Sequence, residues 1–160
     1  MIKILLAGDG GQGIQLLSHI ICESAFHKGL EVTHIPNYGL EQRGGVSLAF
    51  IKISKEKIVY PKFSKTDLLL VMSKQAEGRV KQYKDKKNFK FEIVNYKEFL
   101  EENNIPVESY NIFFLGLILK KLDEQGLTDI NYAKKMLKEK LSTKSGWENN
   151  QKAFLLGRNK

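Results

Sequence analysis

The chain has 160 residues, of which 42% are hydrophobic and 10% aromatic, and its formal net charge is +8. This length predicts one domain over residues 1–160, with a hydrophobic core large enough to be stable without disulfide or metal cross-links. Its one cysteine, Cys22, excludes a disulfide framework and a cysteine-ligated iron–sulfur cluster built by this chain alone. No apolar stretch approaches the roughly 18 residues that span a bilayer, and a strand pattern starts at residue 1 in place of a signal peptide. We therefore expect a soluble cytoplasmic protein with no membrane contact.

The positive charge alone does not indicate nucleic-acid binding. The lysines are scattered, and their densest runs, 81–90 and 134–144, are typical of solvated helix faces. A nucleic-acid interface gathers its cations on one face with arginine or aromatic readers, and this chain has only three arginines. We expect no nucleic-acid partner, and an acidic partner protein or an anionic cofactor explains the excess charge equally well.

The first thirty residues predict a strand, a glycine turn and a helix. Residues 1–7 are a short apolar run, residues 8–13 are Gly-Asp-Gly-Gly-Gln-Gly, and apolar residues then recur every three or four positions. The N–H groups at the start of a helix are unpaired and its dipole is partly positive there, so the turn favours an anion. Gly8, Gly10 and Gly13 also have the spacing of the dinucleotide fingerprint.

The second predicted strand, residues 31–36, argues against an ordinary NAD site. Such a site needs an acidic residue near the end of this strand to bind the ribose hydroxyls. The residues that follow are Asn37 and Tyr38, neither of them acidic. A phosphate site, an NADP-type site in which Arg43 binds a ribose phosphate, and a plain turn without ligand stay open.

The rest of the chain alternates strand and helix patterns and ends in a helical third. Strands are predicted at 46–53, 58–60, 68–72 and 91–95, with 58–60 as the hairpin partner of 46–53. Helices are predicted at 75–83, 96–102, 111–122, from 129 or 131 through 137, and at 147–156. This order predicts a Rossmann-like, three-layer α/β fold whose sheet is mostly parallel with one antiparallel hairpin.

A second polar motif covers residues 37–45 and ends in the paired glycines Gly44 and Gly45. Within it, Glu41, Gln42 and Arg43 place an acceptor, an amide and a fixed-charge donor side by side. The simplest interpretation is a surface turn with a loose Glu41–Arg43 ion pair, which contributes at most about 1 kcal/mol.

Residues 8–13 and 38–45 together resemble the gamma subunit, or gamma domain, of the 2-oxoacid:ferredoxin oxidoreductases. These enzymes act on pyruvate, 2-oxoglutarate, 2-oxoisovalerate or indolepyruvate. The resemblance continues through Asp67, through Asn111 and Gly116 on the central helix, and through residues 148–157 near the end. One departure is Leu40, which stands where the family commonly has proline.

The resemblance implies an oxidoreductase subunit in a complex that oxidatively decarboxylates a 2-oxoacid to an acyl-CoA and passes electrons to ferredoxin. It implies alpha, beta and possibly delta partner subunits, which hold thiamine diphosphate, Mg and the iron–sulfur clusters. No catalytic or metal-binding residue is expected on this chain.

Our hypothesis for this chain is coenzyme A binding, with the pyrophosphate at the N–H groups of residues 10–13 and with Gln12 and Arg43 around it. The predicted binding residues are Gly8, Gly10, Gly11, Gln12, Gly13, Tyr38, Glu41, Arg43, Gly44 and Gly45. Three alternatives remain: motifs that serve subunit contact alone, an NADP-type or other nucleotide-binding oxidoreductase module, and a stand-alone binding protein.

Overall fold

The computed structural model describes residues 1–38, 44–85, 87 and 89–160. Its strands are β1 (Ile2–Asp9), β2 (Glu31–Tyr38), β3 (Val46–Ser54), β4 (Leu68–Val71) and β5 (Phe89–Glu92). Its helices are α1 (Ile14–His27), α2 (Lys74–Arg79), α3 (Lys97–Glu102), α4 (Tyr110–Glu124), α5 (Ile130–Leu141) and α6 (Trp147–Asn159). The predicted α/β class and the helical last third are confirmed. No helix within these ranges is long and apolar enough to cross a membrane.

The five strands form one sheet in the order β2-β3-β1-β4-β5. β1 pairs in parallel with β4, and β4 with β5, whereas β3 is antiparallel to both β1 and β2. The prediction of a mostly parallel sheet therefore fits only half of the strand pairs. β3 follows β2 through a short connection, which antiparallel strands permit. Because β2 runs in the same direction as β1, β3 is antiparallel to β1 as well.

The predicted hairpin between residues 46–53 and 58–60 is wrong. Both edges of β3 are already occupied, by β1 and β2, and residues 58–60 form no strand. A hydrogen bond from the buried side chain of Lys52 in β3 holds this segment instead: the Lys52 Nζ donates to the carbonyl of Tyr60. Lys52 thus connects the segment after β3 to the face of the sheet.

Each face of the sheet packs against helices, which gives three layers. Ile4 and Leu6 of β1 are fully buried in the larger core, together with residues of α1, α4 and α5. Leu5 and Ala7 face the opposite side and pack with Ala76 and Val80 in and after α2. β1 is consequently apolar on both faces, as expected for a strand covered by helices on each side.

Helices α4 and α6 approach each other through a pair of glycines. A Cβ atom on Gly157 would overlap the carbonyl oxygen of Phe113, and one on Gly116 would overlap that of Phe154. The missing side chains let the two helix backbones touch, which fixes α6 on the outside of α4.

Asp129 caps α5 and links it to the end of α1. Its Oδ1 accepts hydrogen bonds from the N–H groups of Asn131 and Tyr132, both at 3.0 Å, and its Oδ2 lies 3.3 Å from Nδ1 of His27. The His27 and Tyr132 rings stack with centroids 3.9 Å apart. Hydrogen bonds from Tyr132 N–H, then Asn131 N–H, and the neighbouring His27 hold the pKa of Asp129 below its usual value.

We predict that Gly157→Ala lowers the free energy of unfolding by about 1–3 kcal/mol, because the added methyl group forces α6 away from α4. Gly78→Ala is the matched control, since a Cβ there meets nothing within 4 Å. It should leave stability unchanged or raise it by up to about 1 kcal/mol. Urea denaturation of both variants measures the difference, and equal losses would contradict the close α4–α6 contact.

We predict that Asp129→Asn, which retains the capping oxygen but not the charge, destabilises the protein near neutral pH and has a smaller effect at about pH 3. A carboxyl group whose folded-state pKa is lowered stabilises the fold above its unfolded pKa and loses that contribution as pH falls. Asp129→Ala also removes the cap and should cost about 1 kcal/mol near neutral pH. Urea denaturation at both pH values tests this, and a pH-independent Asp129→Asn effect would refute it.

Candidate functional site

The loop between β1 and α1 forms a short glycine turn. β1 ends at Asp9 and α1 begins at Ile14. Gly11 and Gly13 have positive φ values of 93° and 75°, a conformation that favours glycine. Gly13 is the N-cap of α1 and offers no side chain to the first N–H groups of the helix. No side chain in the described part of the chain caps those N–H groups, and uncapped N–H groups at a helix N-terminus can bind an external acceptor.

A hydrogen bond joins the two sequence motifs. The N–H of Gly10 donates to the carbonyl of Gly45 at 2.8 Å. Tyr38, at the end of β2, is the register partner of Ser47, which is in turn the register partner of Gly8. The ends of β1 and β2 and the start of β3 thus lie together along one edge of the sheet, the edge formed by the carboxyl ends of the parallel strands. α/β proteins commonly bind ligands at the carboxyl ends of their strands.

Internal hydrogen bonds hold the turn against β4. Gln12 accepts from the N–H of Asp9 at 2.7 Å through its Oε1, and its Nε2 donates to the carbonyl of Met72 at 3.2 Å. The carboxylate of Asp9 accepts from the hydroxyl of Ser73 at 2.6 Å, and that hydroxyl caps α2 by accepting from the N–H of Ala76. The turn is thereby prearranged without a ligand.

The glycines of the turn differ in the space around them. A Cβ on Gly8 would lie 2.9 Å from Cδ1 of Ile14, and one on Gly13 would overlap Nδ2 of Asn111. These two glycines serve close packing. A Cβ on Gly11 meets nothing within 4 Å, so the backbone of Gly11 faces open space.

A cleft of about 240 Å³ opens beside Gly11. Its lining residues come from the turn, from the positions directly after β4 and β5, and from residues 107–111, which lead into and begin α4: Gly11, Gln12, Met72, Ile93, Val107, Glu108, Tyr110 and Asn111. The set includes one carboxylate, Glu108, and no lysine or arginine. Burial of Tyr110, and secondarily the charge of Glu101, raises the pKa of the Tyr110 phenol, which therefore stays neutral. Attraction for an anion must come from the backbone N–H groups and from cations outside this lining.

Gln15, in the first turn of α1, connects the helix to the second motif. Its Nε2 donates to the hydroxyl of Ser47 and to the carbonyl of Leu48, both at 3.0 Å. Its buried Oε1 has no hydrogen-bond partner within the part of the chain that the structure describes. The amide fixes the N-terminal end of α1 beside the start of β3.

The structure brings most of the predicted binding residues together. Gly8, Gly10, Gly11, Gln12 and Gly13 form the turn, and Gly44 and Gly45 lie against it. Tyr38 is 67% exposed at the same edge of the sheet. The side chain of Gln12 bonds within the protein, so its contact with a ligand stays a prediction. Glu41, Gln42 and Arg43 lie outside the described residues.

Sequence reasoning missed Glu108, Tyr110 and Asn111 as residues of the cleft. They are distant in sequence from both motifs, and only the packing of α4 against the turn places them there. Two signals were available: the family resemblance at Asn111, and the polar pair Tyr110-Asn111 directly before the mainly apolar run 112–119.

The described residues do not offer a metal-binding group. No three His, Cys, Asp or Glu side chains among them are placed to hold a metal ion. Burial, and secondarily the neighbouring Glu23, raises the pKa of the Cys22 thiol to about 12. Cys22 is buried and is the single cysteine of the chain, so it cannot supply the several thiolates that an iron–sulfur cluster needs.

Known proteins share both sequence and fold with this chain. The sequence profile described as pyruvate ferredoxin/flavodoxin oxidoreductase matches residues 3–86, just over half of the chain. The 2-oxoglutarate synthase subunit KorC of Methanothermobacter marburgensis is 43% identical over 75 residues, which cover 46% of this chain and 40% of that protein. This chain thus matches less than half the length of that relative.

Two solved structures have the same fold. The gamma subunit of a keto/oxoacid ferredoxin oxidoreductase from Geobacter sulfurreducens superposes with a TM-score of 0.70 and 23% identity, covering 99% of this chain and 97% of that one. The 2-oxoglutarate:ferredoxin oxidoreductase of Magnetococcus marinus, solved with 2-oxoglutarate, coenzyme A and succinyl-CoA bound, gives a TM-score of 0.78 at 21% identity. That match covers 99% of this chain and 30% of that one. The resemblance inferred from the two motifs is confirmed: the chain belongs to the pyruvate ferredoxin/flavodoxin oxidoreductase family and has the fold of a gamma subunit.

Proposed function

We propose that this chain is the gamma subunit of a cytoplasmic 2-oxoacid:ferredoxin oxidoreductase and contributes coenzyme A binding to it. The complex converts a 2-oxoacid to an acyl-CoA and passes electrons to ferredoxin. Membership of the family supports the assignment. Coenzyme A is bound in the Magnetococcus marinus enzyme, whose fold includes that of this chain.

The hydrogen bond from Gly10 to Gly45 is the observation that carries the coenzyme A proposal. It fixes the end of the second motif against the glycine turn, next to the free N–H groups at the start of α1. A phosphate group placed there would accept from those N–H groups and interact favourably with the helix dipole. The open space at Gly11 gives it access to the turn.

The charges of the cleft make this proposal depend on Arg43. Two carboxylates, those of Asp9 and Glu108, lie in or next to the cleft, and its described lining has no cation. A diphosphate would therefore need a compensating positive charge. Arg43, one residue before Gly44, is the arginine of the second motif and can supply a planar donor pair to phosphate oxygens.

The chemical steps belong to the partner subunits in this proposal. Thiamine diphosphate supplies the carbanion chemistry of decarboxylation when bound with Mg, and iron–sulfur clusters carry the electrons. The alpha and beta subunits, with or without a delta subunit, hold these groups. This chain, as one domain, binds and orients the acyl acceptor and contacts its neighbours.

We predict that Arg43→Ala weakens coenzyme A binding to the assembled complex by roughly 10- to 100-fold. This range corresponds to the loss of one hydrogen bond to a charged group, which contributes about 1.5–3 kcal/mol. Isothermal titration calorimetry of the complex measures the affinity. Arg79→Ala is the matched control, because Arg79 is exposed at the end of α2, outside the cleft. Unchanged affinity in the Arg43 variant would refute the proposal.

Size-exclusion chromatography of the same variants separates ligand binding from subunit contact. If Arg43→Ala reduces assembly while the remaining complex binds coenzyme A normally, the second motif serves subunit contact. Normal assembly with weak binding supports the ligand role.

We predict that Gly11→Ala weakens coenzyme A binding about tenfold, because the methyl group occupies the space that the phosphate needs and the turn is strained. Gly29→Ala is the control: Gly29 also has positive φ, at 77°, and open space around it, but lies after the other end of α1. Each variant should lose about 1–2 kcal/mol of stability from backbone strain. Calorimetry and urea denaturation measure both effects, and equal binding by the two variants would contradict a phosphate at the turn.

A further inference from the structure

Most of the net charge of the protein is concentrated in its last fifth. Residues 130–160 contain eight lysines and arginines against two acidic residues, a net charge of +6 out of the +8 of the whole chain. The remaining 129 residues are nearly balanced at +2. This segment forms α5, α6 and their connection. We call this strongly basic part of the protein, α5, α6 and their connection, the basic pole.

A groove of about 300 Å³ lies between α5 and α6 at this pole. Its floor is apolar and is formed by Leu137, Trp147, Phe154 and Leu155. Leu137 and Phe154 are buried, whereas Leu155 is 44% exposed and Trp147 is partly exposed. The groove therefore leaves apolar surface open to solvent beside a strongly charged rim.

The rim of the groove carries three exposed lysines of α5: Lys134, Lys135 and Lys138. Lys135 lies 3.9 Å from Glu139, in an exposed i,i+4 pair. Lys134 and Lys138 have no carboxylate within 4.0 Å among the residues that the structure describes. These two ammonium groups are free to pair with carboxylates from outside the chain.

We infer that this groove is a docking site for an acidic segment of a partner protein, which places an apolar side chain on the floor and carboxylates against the lysines. The charge of the pole selects an anionic partner and disfavours a second copy docked through the same pole. Of the two aromatic side chains of the floor, Phe154 is buried and only Trp147 is partly exposed, so the groove lacks the successive exposed aromatic rings on which bases stack. An apolar anchor within a charged rim is the usual arrangement of a peptide-binding groove.

The groove is separate from the candidate coenzyme A site. It shares no lining residue with the cleft beside Gly11, and it lies on α5 and α6, whereas the cleft is formed by the turn, the strand ends and the start of α4. The inference therefore goes beyond the proposed function, and variants of the groove should leave coenzyme A affinity unchanged.

The test uses the fluorescence of Trp147, the single tryptophan of the chain, which lines the groove. The probe is a terminally blocked peptide of about ten residues, with a Leu-Phe pair between runs of glutamate. Titrating the full chain with it should shift the emission of Trp147 saturably. The binding should weaken at least tenfold between about 0.05 and 0.5 M salt, because the paired charges are exposed.

Charge-reversal variants assign the binding to the groove. Lys134→Glu combined with Lys138→Glu should weaken binding at least tenfold. Lys140→Glu is the matched control, because Lys140 is an exposed lysine of α5 that does not line the groove. It should change binding less than threefold. Leu155→Ser should weaken binding of the same peptide, and circular dichroism checks that each variant is folded.

Four results would overturn the inference. The first is the absence of a saturable shift of Trp147 emission with the acidic peptide. The second and third are equally tight binding of a peptide with lysine in place of glutamate, or of a peptide with serine in place of the Leu-Phe pair. The fourth is an equal loss of binding in the Lys140→Glu variant and in the variant that combines Lys134→Glu with Lys138→Glu. Tight binding of a single-stranded oligonucleotide without binding of the acidic peptide would assign the groove to nucleic acid and would also refute it.

Discussion

The hydrogen bond between the N–H of Gly10 and the carbonyl of Gly45 is the constraint on which the candidate site depends. It joins the glycine turn after β1 to the start of β3, so that two motifs about thirty residues apart meet at one edge of the sheet. The antiparallel direction of β3 makes this contact possible, because the strand begins where β1 ends. With a parallel β3, the second motif would enter the sheet at the opposite edge, away from the N-terminus of α1.

The polar side chains of the turn hold its shape, and in our proposal its backbone N–H groups bind the ligand. Gln12 and Asp9 bond to Met72 and Ser73 after β4, and Gln15 bonds to β3. A ligand would therefore meet a preformed set of N–H groups and would not have to order the turn on binding. The carboxylates near the cleft make this site weakly attractive to anions unless an arginine completes it.

The basic pole at α5 and α6 has the opposite character, since lysines of α5 lie beside an apolar floor there. In our two proposals, one chain therefore binds chemically different partners at two separate surfaces.

Particular residues show how far sequence reasoning extends into the fold. The apolar spacing after Ile14, the buried run 68–71 and the periodicity of residues 111–122 predict α1, β4 and α4, because burial of one face or two faces leaves a periodic trace in the sequence. Residues 58–60 gave a false strand, because a triplet of β-branched and aromatic residues next to a turn carries no information on whether a neighbouring strand has an edge free to pair. The partners of β3 depend on contacts between distant residues, and these have no local pattern.

The sequence by itself determined the identity of the two motifs, the family they indicate, and the strand-turn-helix unit that offers N–H groups to an anion. Glycines at positive φ and helix periodicity are local requirements, so they can be recognised in a single chain. Only the tertiary structure decided that Gly10 and Gly45 bond, that Gln12 is held within the turn, and that Glu108 and Asn111 complete the cleft. It also gathered the lysines of α5 around Trp147 and Leu155 of α6. These features depend on the direction of β3 and the packing of helices far apart in sequence, which arise from the whole chain folding around one sheet.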